Sequence, residues 1–251
     1  MMKTVLITGA TSGIGKATAL LLAKSNYRVI AWGRDQEKLE LLAQELSHGT
    51  SDFMVKKVDV CDASLVEQTI KTLIEQSIRI DFLINNAGLA KGLQKLHTQP
   101  LKHFDEVFDT NVKGLLYVTK FIVEDMVKRD QGHIINIGSI AGIHAYSNGA
   151  LYCASKSAVA TLSDGLRQDL VDKNIKVTNI QPGLVETPFS EVRFLGDSVR
   201  AKSVYQGIES LKPEDIASTI LYAMQTPPHV QIAEINIMPT HQATGGVIYK
   251  K

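Results

Sequence analysis

Tyr152 and Lys156 stand one helical turn apart in the stretch Ala150-Leu151-Tyr152-Cys153-Ala154-Ser155-Lys156. On a helix, side chains at i and i+4 leave the same face, so a phenol and an ammonium would stand together. A free tyrosine titrates at about pH 10 and is a poor acid or base at neutral pH. A fixed positive charge nearby favours the phenolate and pulls that value down. A phenol tuned in this way can pass a proton to or from an alcohol oxygen. Upstream, the apolar run Ile134-Ile135-Asn136-Ile137-Gly138 ends at Ser139, whose hydroxyl can hold a carbonyl oxygen beside the phenol. Tyr-x-x-x-Lys occurs by chance on many helices. The pair gains meaning only if a hydride cofactor site exists elsewhere in the chain.

The first strand-like run, Thr4-Val5-Leu6-Ile7, leads into such a site. It is followed by Thr8-Gly9-Ala10-Thr11-Ser12-Gly13-Ile14-Gly15 and then a helical pattern from Lys16. Strand, glycine turn and helix form the context in which such glycines bind phosphate. Gly9 permits the tight turn, Gly13 clears the approach of a pyrophosphate, and Gly15 lets helix and strand pack. The helix N-terminus then offers free N–H groups and its positive dipole end. The spacing is G-x-x-x-G-x-G rather than G-x-G-x-x-G. A ligand-free glycine turn is the plainer alternative, and the flanking strand and helix speak against it.

The second strand, residues 28–32, ends at Gly33-Arg34-Asp35. An acid here would bind a free ribose 2′-hydroxyl, and an arginine would accept a 2′-phosphate. Arg34 follows the strand at once, which favours NADP and leaves Asp35 to N-cap a helix over residues 36–46. Asp35 on the ribose of NAD is the competing reading. A third strand over 53–58 runs to Asp59-Val60, where the carboxylate could meet an adenine amino group. Asp62 opens a helix to about residue 76, and a fourth strand over 81–85 delivers Asn86-Ala87-Gly88, small residues that would let backbone lie against a cofactor.

Residues 89–100 read as irregular, with His97 and His103 placed at the surface. A long helical pattern covers about 101–129. Asn111 within it is a weak helix former on an apolar stretch, so it either satisfies a backbone group at a kink or holds water near the reacting centre. A fifth strand, 132–137, delivers Ser139, and the tyrosine helix extends to about residue 172. A sixth strand, 175–180, runs to Pro182 and Gly183, with Val185 and Thr187 just beyond. Residues 184–211 form a weakly periodic segment, long enough to be a binding loop, with Phe189, Val192, Arg193 and Phe194 close together. Pro213-Glu214-Asp215 has the proline and acids of a helix start. A seventh strand is predicted over 231–237. The predicted fold is α/β, one Rossmann-type doubly wound domain over residues 1–251, with a seven-stranded parallel sheet and helices on both faces. Ligands on such sheets bind at the carboxyl ends of the strands, where Gly9, Arg34, Asp59, Asn85 and Ser139 fall.

Composition narrows the classes. Of 251 residues 44% are hydrophobic and 21% charged, with a net charge of +1. That balance gives no electrostatic case for nucleic acid or a membrane surface. No apolar run approaches the roughly 20 residues of a membrane span. Met1-Met2-Lys3 runs straight into a strand, so no signal peptide is expected. Cys61 and Cys153 have no motif spacing and read as small buried hydrophobes in a reducing compartment, and the seven histidines form no ligand pair, so no metal is expected.

Taken together, Thr8 to Gly15, Asn85-Asn86-Ala87-Gly88, Asn111, Ser139, Tyr152 with Lys156, and Pro182-Gly183 make the chain resemble the short-chain dehydrogenase/reductase family over essentially its whole length. The resemblance implies that Tyr152 is the general acid/base and that Ser139 orients the substrate oxygen. It implies that Lys156 holds the nicotinamide ribose and lowers the tyrosine pKa, and that Asn111 keeps a water in a proton relay. It also implies NADP(H) as cofactor, with Pro182, Gly183, Val185 and Thr187 completing its site, a small carbonyl or alcohol substrate, a cytoplasmic homotetramer, and assembly partly through the two long helices. A narrower likeness, through residues 189–197, Val204-Tyr205-Gln206, Pro213-Glu214-Asp215 and Met238-Pro239-Thr240, points to the NADP-dependent 3-hydroxy acid dehydrogenase branch, which acts on serine, allo-threonine or 3-hydroxypropionate. Arg193 is then the candidate grip for a substrate carboxylate, since guanidinium fits carboxylate bidentately. A salt bridge pinning the loop would explain it equally well. A reductase of ketones or 3-oxoacyl thioesters and a non-catalytic NADP-sensing regulator are the alternatives.

Overall fold

The computed structural model describes residues 2–48 and 52–251, so Met1 of the N-terminal segment lies outside it. The chain alternates β1 (Thr4–Ile7), α1 (Gly13–Lys24), β2 (Arg28–Gly33), α2 (Gln36–Ser47), β3 (Phe53–Lys57), α3 (Ala63–Glu75) and β4 (Phe82–Asn85). It continues through α4 (Leu101–Phe108), α5 (Leu115–Arg129), β5 (Gly132–Ile137), α6 (Ala150–Asp169) and β6 (Ile175–Pro182). Two short helices, α7 (Phe189–Arg193) and α8 (Ser198–Ser203), precede α9 (Pro213–Met224) and β7 (Glu234–Ile237). The strands form one parallel sheet in the order β3-β2-β1-β4-β5-β6-β7. Winding reverses between β1 and β4, the switch point at which such sheets open a crevice.

Apolar runs make central strands such as β1 and β4, whose faces are both covered, while the edge strands β3 and β7 are only partly buried. Along β1, Val5 and Ile7 pack beneath Ile216 and Ile220 of α9, while Leu6 packs on the other face with Val66, Ile70 and Ile122. All are fully or almost fully buried, each contributing roughly 1.5–3 kcal/mol by leaving water. Asp35 and Asp62 cap α2 and α3, accepting from the N–H groups of Lys38 and Leu65 at 3.2 and 3.0 Å. Pro213 opens α9, and the Asp215 carboxylate accepts from the Lys212 N–H at 2.8 Å.

Four expectations are corrected. The helix predicted over 101–129 is interrupted by a π-helical turn, Asp109–Gly114, a common device at functional sites. At Gly114 a Cβ would come within 2.6 Å of Val60 Cγ2, so the turn lets the chain pass close beneath that residue. The tyrosine helix spans Ala150–Asp169, because the Leu170 N–H turns back to Leu166 and closes it. The last strand begins at Glu234, since Gln231 and Ile232 meet β6 through the Gln231 side chain and the Thr178 hydroxyl instead of ladder bonds. His103 is buried on α4, while His97 is exposed as expected.

Candidate active site

The carboxyl ends of the central strands and residues 184–205 enclose a cavity of about 690 Å³. Its walls bring together Gly9, Thr11, Ser12, Gly13 and Ile14 from the glycine turn, Arg34 from the end of β2, and Val60. Asn86, Ala87 and Gly88 follow from β4, Ser139 from β5, Tyr152 and Lys156 from α6, and Pro182, Gly183, Val185, Thr187 and Arg193 from the segment after β6. Gly15, Asp59 and Asn111 stand behind the wall instead of on it.

The glycine turn is held by backbone. Gly9 has φ +63, and a Cβ there would lie 2.8 Å from Ala87 Cα. At Gly15 a Cβ would meet the Gly9 carbonyl oxygen at 2.3 Å, so α1 presses directly on the turn. Asn86 braces the same loop, donating to the carbonyls of Thr8 and Gly9 at 3.0 Å each, while the Thr8 hydroxyl accepts from the Asn86 and Ala87 N–H groups. Ser12 is the N-cap of α1 but makes no side-chain cap bond, and it lines the cavity. A cradle without side chains, a spare hydroxyl and a helix N-terminus fit a pyrophosphate. Arg34 stands 3.9 Å from Asp59. Asp59 also accepts from the Cys61 N–H at 3.0 Å, so its carboxylate is engaged outside the cavity.

The phenol and the ammonium share one end of the cavity, with Lys156 Nζ 6.0 Å from the centre of the Tyr152 ring. Lys156 is buried and donates to the Ile137 carbonyl at 2.7 Å. Burial lowers its pKa to about 8. For Tyr152 the direction is opposite to the sequence expectation. Burial and the neighbouring Tyr146 push its pKa up, outweighing the Ser139 hydroxyl and the Arg193 charge, which pull it down. Removing a phenolate from water costs more here than these neighbours return. Tyr152 therefore stays protonated at neutral pH, the form of a proton donor. Ser139 accepts from the Ala141 N–H at 3.1 Å, which fixes its hydroxyl at the mouth of β5.

Asn111 satisfies backbone groups, but not those of its own helix. Its side chain accepts from the Leu89 N–H and donates to the Leu89 carbonyl, both at 2.8 Å, and donates to Ser155 Oγ at 3.0 Å. It thereby ties the π turn to the segment after β4 and to α6. Gly88 lies between it and Lys156, with a Cβ placed 3.4 Å from each.

Arg193 pairs with no carboxylate among the described residues, so no salt bridge there pins its loop. It donates to the Gly92 carbonyl at 3.3 Å and to the Tyr146 hydroxyl, and its carbonyl accepts from the Gly92 N–H at 2.8 Å. Its guanidinium carbon lies 5.5 Å from the Tyr146 ring centre and 5.4 Å from that of Tyr152. Sequence reasoning missed Tyr146 and Tyr205. The Tyr205 hydroxyl meets Ser190 Oγ at 2.7 Å and donates toward the Val185 and Thr187 carbonyls at 3.2 and 3.4 Å. Val204-Tyr205-Gln206 marked the region, but no local pattern points a phenol at carbonyls 18 to 20 residues away. Cys153 is buried and Cys61 half-buried, both as free thiols. Among the described residues no helix is long and apolar enough to cross a membrane, and no cluster of three or more His, Cys, Asp or Glu side chains could hold a metal ion.

A parallel sheet with a glycine turn at its switch point defines a dinucleotide-binding Rossmann fold. The sequence pattern described as short chain dehydrogenase matches residues 3–196. The chain belongs to that family. It is 40% identical over 249 residues to a probable NADP-dependent dehydrogenase of Haemophilus influenzae, covering 99% of this chain and 98% of that one. It is also 40% identical over 251 residues to an NADP-dependent 3-hydroxy acid dehydrogenase of Schizosaccharomyces pombe, covering 99% and 97%. Among solved structures, the closed form of a serine dehydrogenase complexed with NADP+ superposes with a TM-score of 0.93 at 38% identity over 99% of both chains.

Proposed function

We propose that this chain works as one NADP-dependent catalytic unit that interconverts the hydroxyl and carbonyl of a short 3-hydroxy acid. The observation that carries the reading is Arg193. Its guanidinium faces the cavity beside Tyr152, and no carboxylate pairs with it among the described residues. An unneutralised arginine next to a proton donor suits a substrate bearing its own carboxylate. Serine dehydrogenase and 3-hydroxy acid dehydrogenase relatives support the same class.

The glycine turn, Ser12 and Arg34 would hold the pyrophosphate and 2′-phosphate of NADP, and Val185 and Thr187 would border the nicotinamide. When bound, that ring gives or accepts the hydride. Tyr152 gives its proton to the carbonyl oxygen as negative charge grows there and regains it in the reverse direction. Ser139 hydrogen-bonds the same oxygen, an interaction stronger at the transition state than before it. The Lys156 ammonium, held by the Ile137 carbonyl, offsets the charge left on the phenolate. Asn111 acts on this set by fixing Leu89 and Ser155 around Lys156. In the same reading the protein is a cytoplasmic homotetramer, assembled through α4–α5 and α6.

A panel containing serine, 3-hydroxypropionate, neutral ketones and 3-oxoacyl thioesters, followed by NADPH absorbance, tests the reading. The acids are expected to turn over with the highest kcat/KM. Preference for ketones or thioesters, or no turnover at all, would overturn it. A parallel measurement on Arg34→Ala is expected to raise KM for NADP about tenfold and leave KM for NAD nearly unchanged, the size of one charged hydrogen bond.

A further inference from the structure

We infer that Tyr146 is a substrate-binding residue, whose hydroxyl holds the Arg193 guanidinium on one side and donates to the substrate carboxylate on the other. The inference rests on the carboxylate reading above. Three glycines make a slot for the Tyr146 ring. A Cβ on Gly149 would fall 2.1 Å from ring atom Cε2, one on Gly245 would fall 2.8 Å from Cδ1, and one on Gly246 would fall 3.1 Å from Cβ. These glycines come from the start of α6 and from the C-terminal tail, so the ring is clasped between distant parts of the chain. The slot fixes where the hydroxyl sits.

At that position the hydroxyl oxygen accepts from Arg193 Nη2. A phenol has one hydrogen of its own to give. That hydrogen has no acceptor among the described residues, and Tyr146 lines the cavity. Burial raises its pKa, which keeps the hydrogen in place as a donor. Arg193 therefore presents its guanidinium and Tyr146 its O–H to the same space. The guanidinium carbon lies 5.4 Å from the centre of the Tyr152 ring, so an acid gripped there and protonated by Tyr152 has a short spacer between its carboxylate and its reacting oxygen. A short 3-hydroxy acid, with two carbons in that spacer, fits this arrangement.

The test compares 3-hydroxypropionate with its neutral isostere, 3-hydroxypropionamide, on Tyr146→Phe and Arg193→Ala. Phenylalanine keeps the ring in the glycine slot, and a melting temperature near that of the unaltered protein would verify the fold. Tyr146→Phe is expected to raise KM for the acid about tenfold, with KM for the amide, KM for NADP and kcat within twofold. Calorimetric titration of 3-hydroxypropionate into the NADPH-loaded protein, where the bound cofactor has no capacity to accept a hydride, should show the same weakening without turnover. Equal effects on acid and amide, or no effect on either, would overturn the role of Tyr146. If Arg193→Ala alone separates acid from amide, the carboxylate reading stands and the inference falls. If neither variant separates them, both fall.

Discussion

The glycine turn and the segment after β6 face each other across one cavity but are held by different forces. Between Thr8 and Gly15 backbone packs on backbone where side chains are missing, and the Asn86 amide and the Thr8 hydroxyl brace the turn. From Val185 to Tyr205 the segment is held by side-chain hydrogen bonds through Tyr205 and Arg193 together with backbone bonds from Glu186 to Leu211 and from Gly92 to Arg193, and at its start the Gln242 amide oxygen accepts from the Leu184 N–H at 2.7 Å. Close backbone packing has no softer arrangement to relax into. A segment hung on a few hydrogen bonds can open at a cost of about 1 kcal/mol per bond. In the proposed reading the glycine turn is thus a tightly packed seat and the segment after β6 a more loosely held arm that would touch both cofactor and substrate, and Tyr152 sits where they meet, its ring 5.5 Å from that of Phe189 on the arm.

The largest effect is expected at that meeting point. Tyr152→Phe should lower kcat by about a thousandfold while NADPH binding, read by its fluorescence, stays within a few-fold. A loss of cofactor binding of similar size would mean that seat and arm do not act separately.

Lys156 gives a pH test of the seat. Burial sets its folded-state pKa at about 8 against an ordinary value of 10.5, so between those limits the unfolded chain keeps a proton that the folded chain has shed. Stability should therefore rise with pH from 8 to 10.5, by on the order of 3 kcal/mol. Urea unfolding of Lys156→Met should lack that rise and show a more stable protein at pH 7, although the variant is inactive.

Gly9→Ala should cost about 2–4 kcal/mol in the same unfolding experiment, from positive-φ strain and from contact with Ala87. Tyr205→Phe should do the reverse. It should cost only about 1 kcal/mol of stability but raise KM for NADP about 3–10-fold, by freeing the Val185 and Thr187 carbonyls. Were Gly9→Ala mild in stability and Tyr205→Phe severe, the contrast between seat and arm would be lost.

Much of the fold is legible without coordinates, because short runs such as Thr4–Ile7 and Gly132–Ile137 are apolar on both faces and separated by helical patterns. The break in the helix at Asp109–Gly114 is not legible. It arises from the close passage of Gly114 beneath Val60 and from the Asn111 bonds to Leu89, neither of which leaves a local mark. The motif residues of the site are readable for the same reason as the strands. Asp35 as an N-cap and Tyr152 with Lys156 on one helix face depend on neighbours within a turn.

The amino-acid order alone determined the alternation of strand and helix, the seat built from small residues, and the phenol and ammonium on a single face of α6. All of these follow from interactions a few residues long. Tertiary structure alone decided that burial raises the Tyr152 pKa, that Asn111 reaches Leu89, and that Arg193 rests on Gly92 and Tyr146, 101 and 47 residues away. Burial and long-range hydrogen bonds exist only once distant segments have met, so their sign and partners belong to the folded chain.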